Sequence, residues 1–217
     1  MQQFYSVILQ AKLFDQIKRH QLPALLAAIK PTLKTFTANT RVWQVGATVP
    51  SFGLVCAGQV QIVKENAKGN RTILAKVSAS DIFGEAYACT KHHSLSVAVD
   101  TITTTKILFF RPENLFKLTP LTAQQQLIVN LLQIFAQKNL LLNQKVEILS
   151  QRRIADKVLT YLQLEQQKQK SKSLLIPYNR QEMADFLGVE RSALSTTLGE
   201  MQQADQISYY KNHFTLL

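Results

Sequence analysis

The segment from Asn179 to Met201, NRQEMADFLGVERSALSTTLGEM, leaves this chain fewer ways to fold than any other part of its sequence. Read as a helix from Arg180, it puts Met183, Ala184 and Leu187 on one face. Gly188-Val189 then breaks the period before a second apolar stripe at Leu194, Leu198 and Met201. Counting from Arg180, a small residue is needed fifth, where two helices cross closely, and Ala184 is there. A positive backbone φ is needed ninth, and Gly188 is there. Met183, Leu187, Val189 and Leu194 supply the apolar fourth, eighth, tenth and fifteenth positions; Thr197, eighteenth, stands where a larger aliphatic residue is usual. Asn179, followed three residues later by Glu182, makes a capping box. The pattern predicts a helix-turn-helix, against the plainer alternative of a helical hairpin in a bundle core.

A chain of 217 residues has room for one large domain or two small ones. No apolar run reaches the length of a membrane span, and the N-terminus lacks a basic flank and a small-residue cleavage site, so a cytoplasmic protein is expected. Cys56 and Cys89 lie 33 residues apart, without CxxC spacing. They are too few to hold an iron–sulfur cluster within one chain and read as buried thiols, with redox sensing as the alternative. A net charge of +11 suits a polyanionic partner, yet residues 1–120 carry 14 Lys/Arg against 6 Asp/Glu, and residues 121–217 carry 11 against 8. The excess lies mostly outside the helix-turn-helix, so the motif carries the argument for DNA.

Along the chain, the apolar spacing of residues 2–30 predicts helix, with Pro23 at a helix start. From Leu33 to about Arg111, short β-type runs alternate with glycines and turns, at Val42 to Val45, Gly53 to Cys56, Gln59 to Val63, Thr72 to Val77, Leu95 to Val99 and Thr105 to Phe110. A polar turn is expected from Glu65 to Asn70. Pro120 ends this β-barrel or roll, Thr122 can cap, and Ala123 to Leu149 reads as one long helix. Leu127, Ile134, Leu141 and Ile148 recur every seven residues, and Ile128, Phe135, Leu142 and Leu149 recur beside them. Such a double column predicts packing against a partner helix, with Lys138 and Lys145 as register-setting interruptions. No second helix of equal length exists in the chain, so a homodimer is expected, with Ile128, Leu131, Phe135, Leu142 and Leu149 in the interface. A helix from Arg152 to about Gln166, a polar loop to Ser173, a short strand at Leu174 to Ile176 and a hairpin around Lys211-Asn212 complete the reading.

A β-roll, a long helix and a C-terminal winged helix-turn-helix, in that order, resemble the family of the catabolite activator protein and the fumarate–nitrate regulator. The resemblance rests on Gly46, Gly58, Phe83-Gly84-Glu85, Arg152-Arg153-Ile154 through Leu162, and the motif at 180–199. It implies an α+β fold in three parts: a sensor roll over 1–120, a dimerisation helix over 121–150 and a DNA-binding domain over 151–217. In that family the Gly-Glu pair opens a cyclic-nucleotide pocket, and an Arg-Ser pair ten residues after the Glu grips the phosphate. Here the matching positions are Gly84, Glu85, Leu95 and Ser96. Losing that arginine removes a charge-assisted contact of about 1.5–3 kcal/mol. Cyclic AMP is therefore not the expected effector, and the absence of the family's N-terminal cysteine cluster argues against an iron–sulfur cluster.

Cys89, His92 and His93 could hold a metal or haem iron, or could simply stand in a solvated turn. On the recognition helix, Arg191 stands where the family reads guanine, while Ser192 and Thr196 replace a glutamate and an arginine. Arg180, Gln181, Glu190, Arg191, Ser192, Ser195, Thr196, Lys211 and Asn212 are the expected contacts to a palindromic duplex, and RNA polymerase is a further expected partner. Two alternatives stay open: a regulator needing no ligand, and a ligand-binding module whose C-terminal domain contacts protein. An enzyme is not expected, because no nucleophile motif, phosphate-cradling loop or zinc signature accompanies Glu85 and the histidines.

Overall fold

The N-terminal segment does not form the continuous helix that its apolar spacing predicts. The structure, a computed structural model describing residues 2–65, 71–90, 93–117 and 121–217, breaks it into helix α1 (Tyr5–Gln10), short 3-10 turns and helix α2 (Leu22–Ile29). A buried amide explains the break. Asn130 Nδ2 donates to the carbonyls of Leu13 and Asp15 at 3.0 and 2.8 Å, holding as irregular backbone a stretch where consecutive Leu13 and Phe14 are both buried. Pro23 sits at the start of α2, as its fixed φ favours.

Strands β1 (Thr32–Phe36), β2 (Arg41–Trp43), β3 (Phe52–Ala57), β4 (Gln59–Glu65), β5 (Arg71–Ser78), β6 (Ile82–Phe83), β7 (Ala98–Thr101) and β8 (Thr105–Phe110) form two antiparallel sheets, ordered β1-β8-β3-β6 and β2-β7-β4-β5. Helices α3 (Glu85–Ala88) and α4 (Pro112–Leu115) punctuate them, and sequence periodicity misses both because each is only one turn long. The residues 66–70 of the expected polar turn, Pro120, Lys91 and His92 lie outside the described residues.

Period-two geometry explains why β3 and the stretch Ile107 to Phe110 of β8 lack a polar alternation: each has a core on both faces. Ile107 and Phe109 join Val55, Val60, Phe83 and Val99 inside the roll. Leu108 and Phe110 turn the other way, with Phe52 and Leu54, against α1, α2 and the first turns of helix α5 (Thr122–Ser150). The predicted strand at Leu95 to Val99 starts later, at Ala98, because Leu95 pairs its backbone with Gly46 and Ala47 instead.

The chain divides into compact units Met1–Ala136 and Gln137–Leu217, with the boundary inside α5. The second unit continues with α6 (Ile154–Gln169), β9 (Ser173–Leu175), α7 (Arg180–Leu187), α8 (Arg191–Gln203), β10 (Ile207–Tyr210) and β11 (His213–Leu216). The expected loop after Gln166 begins later. Glu165 accepts from Lys168 and Gln169 at 3.2 and 2.9 Å, which carries α6 on to Lys170 at φ 51°. Gln169 then bonds both the N–H and the C=O of Leu175 at 3.0 and 3.1 Å, covering the free edge of β9. Leu174 pairs with Phe214, so the hairpin becomes a three-stranded sheet ordered β10-β11-β9.

Candidate nucleic-acid interface and effector pocket

The helix-turn-helix is built by local chemistry. Asn179 Oδ1 accepts from Glu182 N at 2.9 Å while Glu182 Oε2 accepts from Asn179 N at 2.8 Å, so both halves of the capping box start α7. Gly188 ends it at φ 64°, where a side chain would be strained. Met183, Ala184, Leu187, Leu194, Leu198 and Met201 are all buried in the core of this unit. Helical geometry then turns Arg191, Ser192, Ser195 and Thr196 together onto the exposed side of α8, with Glu190 as its N-cap residue. Arg191 is the one cation of that helix. Thr196 Oγ1 donates to Ser192 O at 3.2 Å, and Gln181 Nε2 to Asp185 Oδ1 at 2.9 Å.

Arg180, expected among the DNA contacts, is half-buried against the hairpin. Its guanidinium lies 5.1 Å over the Tyr209 ring and 5.7 Å over Phe214, and Nη2 reaches Lys211 O at 3.4 Å. Burial lowers its pKa from the ordinary arginine value. Asn212 Nδ2 is committed to Ile176 O at 3.3 Å, while Lys211, at φ 54°, exposes its ammonium at the hairpin tip, near the Tyr210 ring. Pro177, Tyr178, Asn179, Arg180, Lys211 and Asn212 together line an open cleft of about 330 Å³. Arg180 thus fastens α7 to the wing, a role with no sequence signal beyond the aromatic pair in the hairpin.

The five residues expected in a helix–helix interface separate into three groups. Leu131, 2% exposed, packs with Leu127 into the chain's own first core, so it is unavailable to a partner; Ile128 and Phe135 are half-buried. Leu142 is 65% exposed and Leu149 41%, and Leu140, Leu141 and Val146 are open beside them. Lys145 is not the register-setting interruption that the heptads suggest. Its ammonium donates to Phe186 O and lies over the Phe186 ring, while Lys157 Nζ donates to Leu187 O at 3.2 Å. Two cations thus meet the last carbonyls of α7, where each contributes about 0.3–1 kcal/mol. Burial first, and then Lys157, lowers the pKa of Lys145.

In the roll, Gly84 takes φ 76° and Glu85, 3% exposed, opens α3. A Cβ at Gly84 would overlap the Trp43 ring, which packs on Phe83 and Phe109 with centroids at 4.9 and 5.8 Å. Leu95 is 2% exposed, and Ser96 Oγ lies 2.6 Å from the Tyr87 hydroxyl. Every position of the expected pocket is therefore in contact with the chain's own side chains or buried, and neither Trp43 nor Tyr87 was visible in the sequence as part of it. Burial pushes the thiols of Cys56 and Cys89 up to about 11, so both stay protonated at neutral pH. Among the described residues no three His, Cys, Asp or Glu side chains gather as a metal-binding group. Within the same residues no helix is long and apolar enough to cross a membrane.

Residues 33–119 match the family model of the cyclic nucleotide-binding domain, and residues 131–217 match that of the Crp-like helix-turn-helix domain. No curated protein sequence matches the chain. Among solved structures, the Thermus thermophilus catabolite activator protein is 17% identical, covering 95% of this chain and 94% of its own, with a TM-score of 0.52. A cysteine-to-serine variant of CprK complexed with OCPA is 13% identical over 89% and 88% at a TM-score of 0.62. The c-di-GMP responsive global regulator CLP of Xanthomonas campestris is 18% identical over 92% and 99% at 0.54. These likenesses establish the fold, and the two matched domains supply the order of parts: a cyclic-nucleotide-type roll followed by a DNA-binding helix-turn-helix. The chain belongs to the catabolite activator protein and fumarate–nitrate regulator family and is a DNA-binding transcription regulator.

Proposed function

We propose that this regulator works as a homodimer on a palindromic duplex, with residues 1–120 as the sensor, 121–150 as the dimerisation helix and 151–217 as the reader. One observation carries the reading: within a single unit, α8 offers the exposed face of Arg191, Ser192, Ser195 and Thr196, while α5 leaves Leu140, Leu141, Leu142 and Val146 uncovered. Arg191 reads a guanine through O6 and N7, and Lys211 binds phosphate from the wing. Contact with RNA polymerase belongs to the same proposal, on the family's pattern alone.

Arg191→Ala is expected to lose about 1–3 kcal/mol of discrimination at one base pair per half-site. Lys211→Ala is expected to weaken all sequences alike and to lower the salt slope by about one per subunit. Quantitative binding to a panel of single-base variants checks both. Unchanged base preference in Arg191→Ala would make Arg191 a phosphate contact and move the readout elsewhere.

The proposed control does not use cyclic AMP or cyclic GMP. An anionic phosphate beside buried Leu95 would lack the charge of the family's arginine, a loss of several kcal/mol, and the Trp43 ring packs against Gly84. Calorimetric titration is expected to give no saturable binding of either nucleotide below ~10 μM, a free energy near −7 kcal/mol. Saturable binding in that range would show that another cation replaces the missing arginine. The same contacts favour a second reading, a regulator that needs no small ligand, because the Trp43 ring packs against Gly84 and the Tyr87 hydroxyl is already hydrogen-bonded to Ser96.

A further inference from the structure

The end of α5 is seated on the turn between α7 and α8 by three separate contacts. Lys145 donates to Phe186 O, Ile148 is 2% exposed in the core of this unit, and a Leu149 methyl lies 3.4 Å from where a Cβ of Gly188 would stand. Phe186 and Gly188 flank Leu187, and after Val189 and Glu190 the chain enters α8 with Arg191. What holds this turn against α5 therefore also sets the position of the reading helix relative to α5. Of the three contacts, only that of Lys145 is directional and charged. It meets carbonyls that lack partners further along their own helix, where a cation is favoured and a methionine of similar length gains nothing. Lys157 makes the equivalent bond to Leu187 O, but from α6 rather than α5.

We infer that Lys145 is a positioning residue that ties the long helix to the reading helix, so that half-site spacing, and not only base sequence, becomes part of what the protein recognises. The inference rests on the dimer proposed above, since two readers stand at a fixed separation only if each is fixed to the helix that joins them. Moving one half-site by a base pair turns it by about a tenth of a helical turn, which a rigid pair of readers resists and a loosened pair follows.

The test uses the full chain and the palindromic duplex selected with the unmodified protein, along with duplexes whose half-site spacing is one base pair longer or shorter. The unmodified dimer is expected to lose about tenfold or more in affinity on the altered spacings. Lys145→Met is expected to shrink that loss to within about threefold, with the base preference at the Arg191 position unchanged and the dimer intact in sedimentation. Lys145→Arg restores the penalty, because it keeps a cationic donor of similar reach; Lys157→Met leaves it in place. A full spacing penalty in Lys145→Met overturns the inference, as does loss of its base preference, which would make Lys145 a prop of the motif itself. A Lys145→Arg variant that behaves like Lys145→Met overturns it too. Hydrogen exchange separates this outcome from failure of the dimer reading: if the unmodified protein sediments as a monomer, the tie still predicts amide exchange at least tenfold faster over Gln144 to Ser150 in Lys145→Met, and in Lys145→Gln should the first variant aggregate. Unchanged exchange there sinks the tie whatever the oligomeric state.

Discussion

Leu142→Lys is expected to abolish the dimer at micromolar concentration, and operator binding with it. In the isolated chain Leu142 is 65% exposed, so the substitution costs the folded protomer little. In a two-fold interface between α5 helices the same lysine appears twice and is desolvated without a partner. An unpaired buried charge costs about 3–5 kcal/mol, so even one copy weakens association by two orders of magnitude or more. DNA binding falls in parallel, because two linked readers are needed for half-sites about one turn apart. Sedimentation of the variant, together with its melting temperature, checks this: an intact dimer would remove α5 from the interface, and a large loss of protomer stability would place Leu142 in a core.

Phe214→Ala is expected to destabilise the DNA-binding unit by about 3–5 kcal/mol, a large part of what a domain of this size possesses. Phe214 is 1% exposed, lies on the central strand of the β10-β11-β9 sheet and stacks on Tyr209 at 5.5 Å. It also supports the Arg180 guanidinium, so the wing loses its fastening to α7 at the same time. The N-terminal unit has cores of its own, and unfolding should therefore split into two transitions instead of shifting as one. Urea unfolding followed by far-ultraviolet circular dichroism tests it; a single transition moved by less than 1 kcal/mol would contradict the placement of Phe214.

What could be read from residues alone was what short-range chemistry decides. The capping box of Asn179 and Glu182, the left-handed Gly188 and the apolar stripes of α7 and α8 depend on neighbours a few positions away, and the helix-turn-helix was legible for that reason. β8 was legible because the apolar run of four residues from Ile107 to Phe110 suits a strand with a core on each face. Leu131 and Leu142 show where such reading stops. Both are leucines on one helix, and only the tertiary neighbours of Leu131 reveal that it is spent on the chain's own core. Lys145 is a similar case: along α5 it interrupts an apolar column, and its purpose depends on a carbonyl 41 residues away. The pocket was half legible. Leu95 in place of an arginine could be seen in the sequence, whereas the Trp43 ring against Gly84 depends on residues from distant parts of the chain meeting in the fold.

The central claim, a dimer that reads two half-sites, is tested most directly by equilibrium binding across a range of salt to three duplexes: the selected palindrome, one half-site alone and a scrambled sequence of equal length. The account predicts that the palindrome is bound at least about 10³-fold more tightly than the scrambled duplex, with the single half-site far weaker than the pair and affinity falling steeply as salt rises. Equal affinity for all three duplexes at every salt concentration would contradict it.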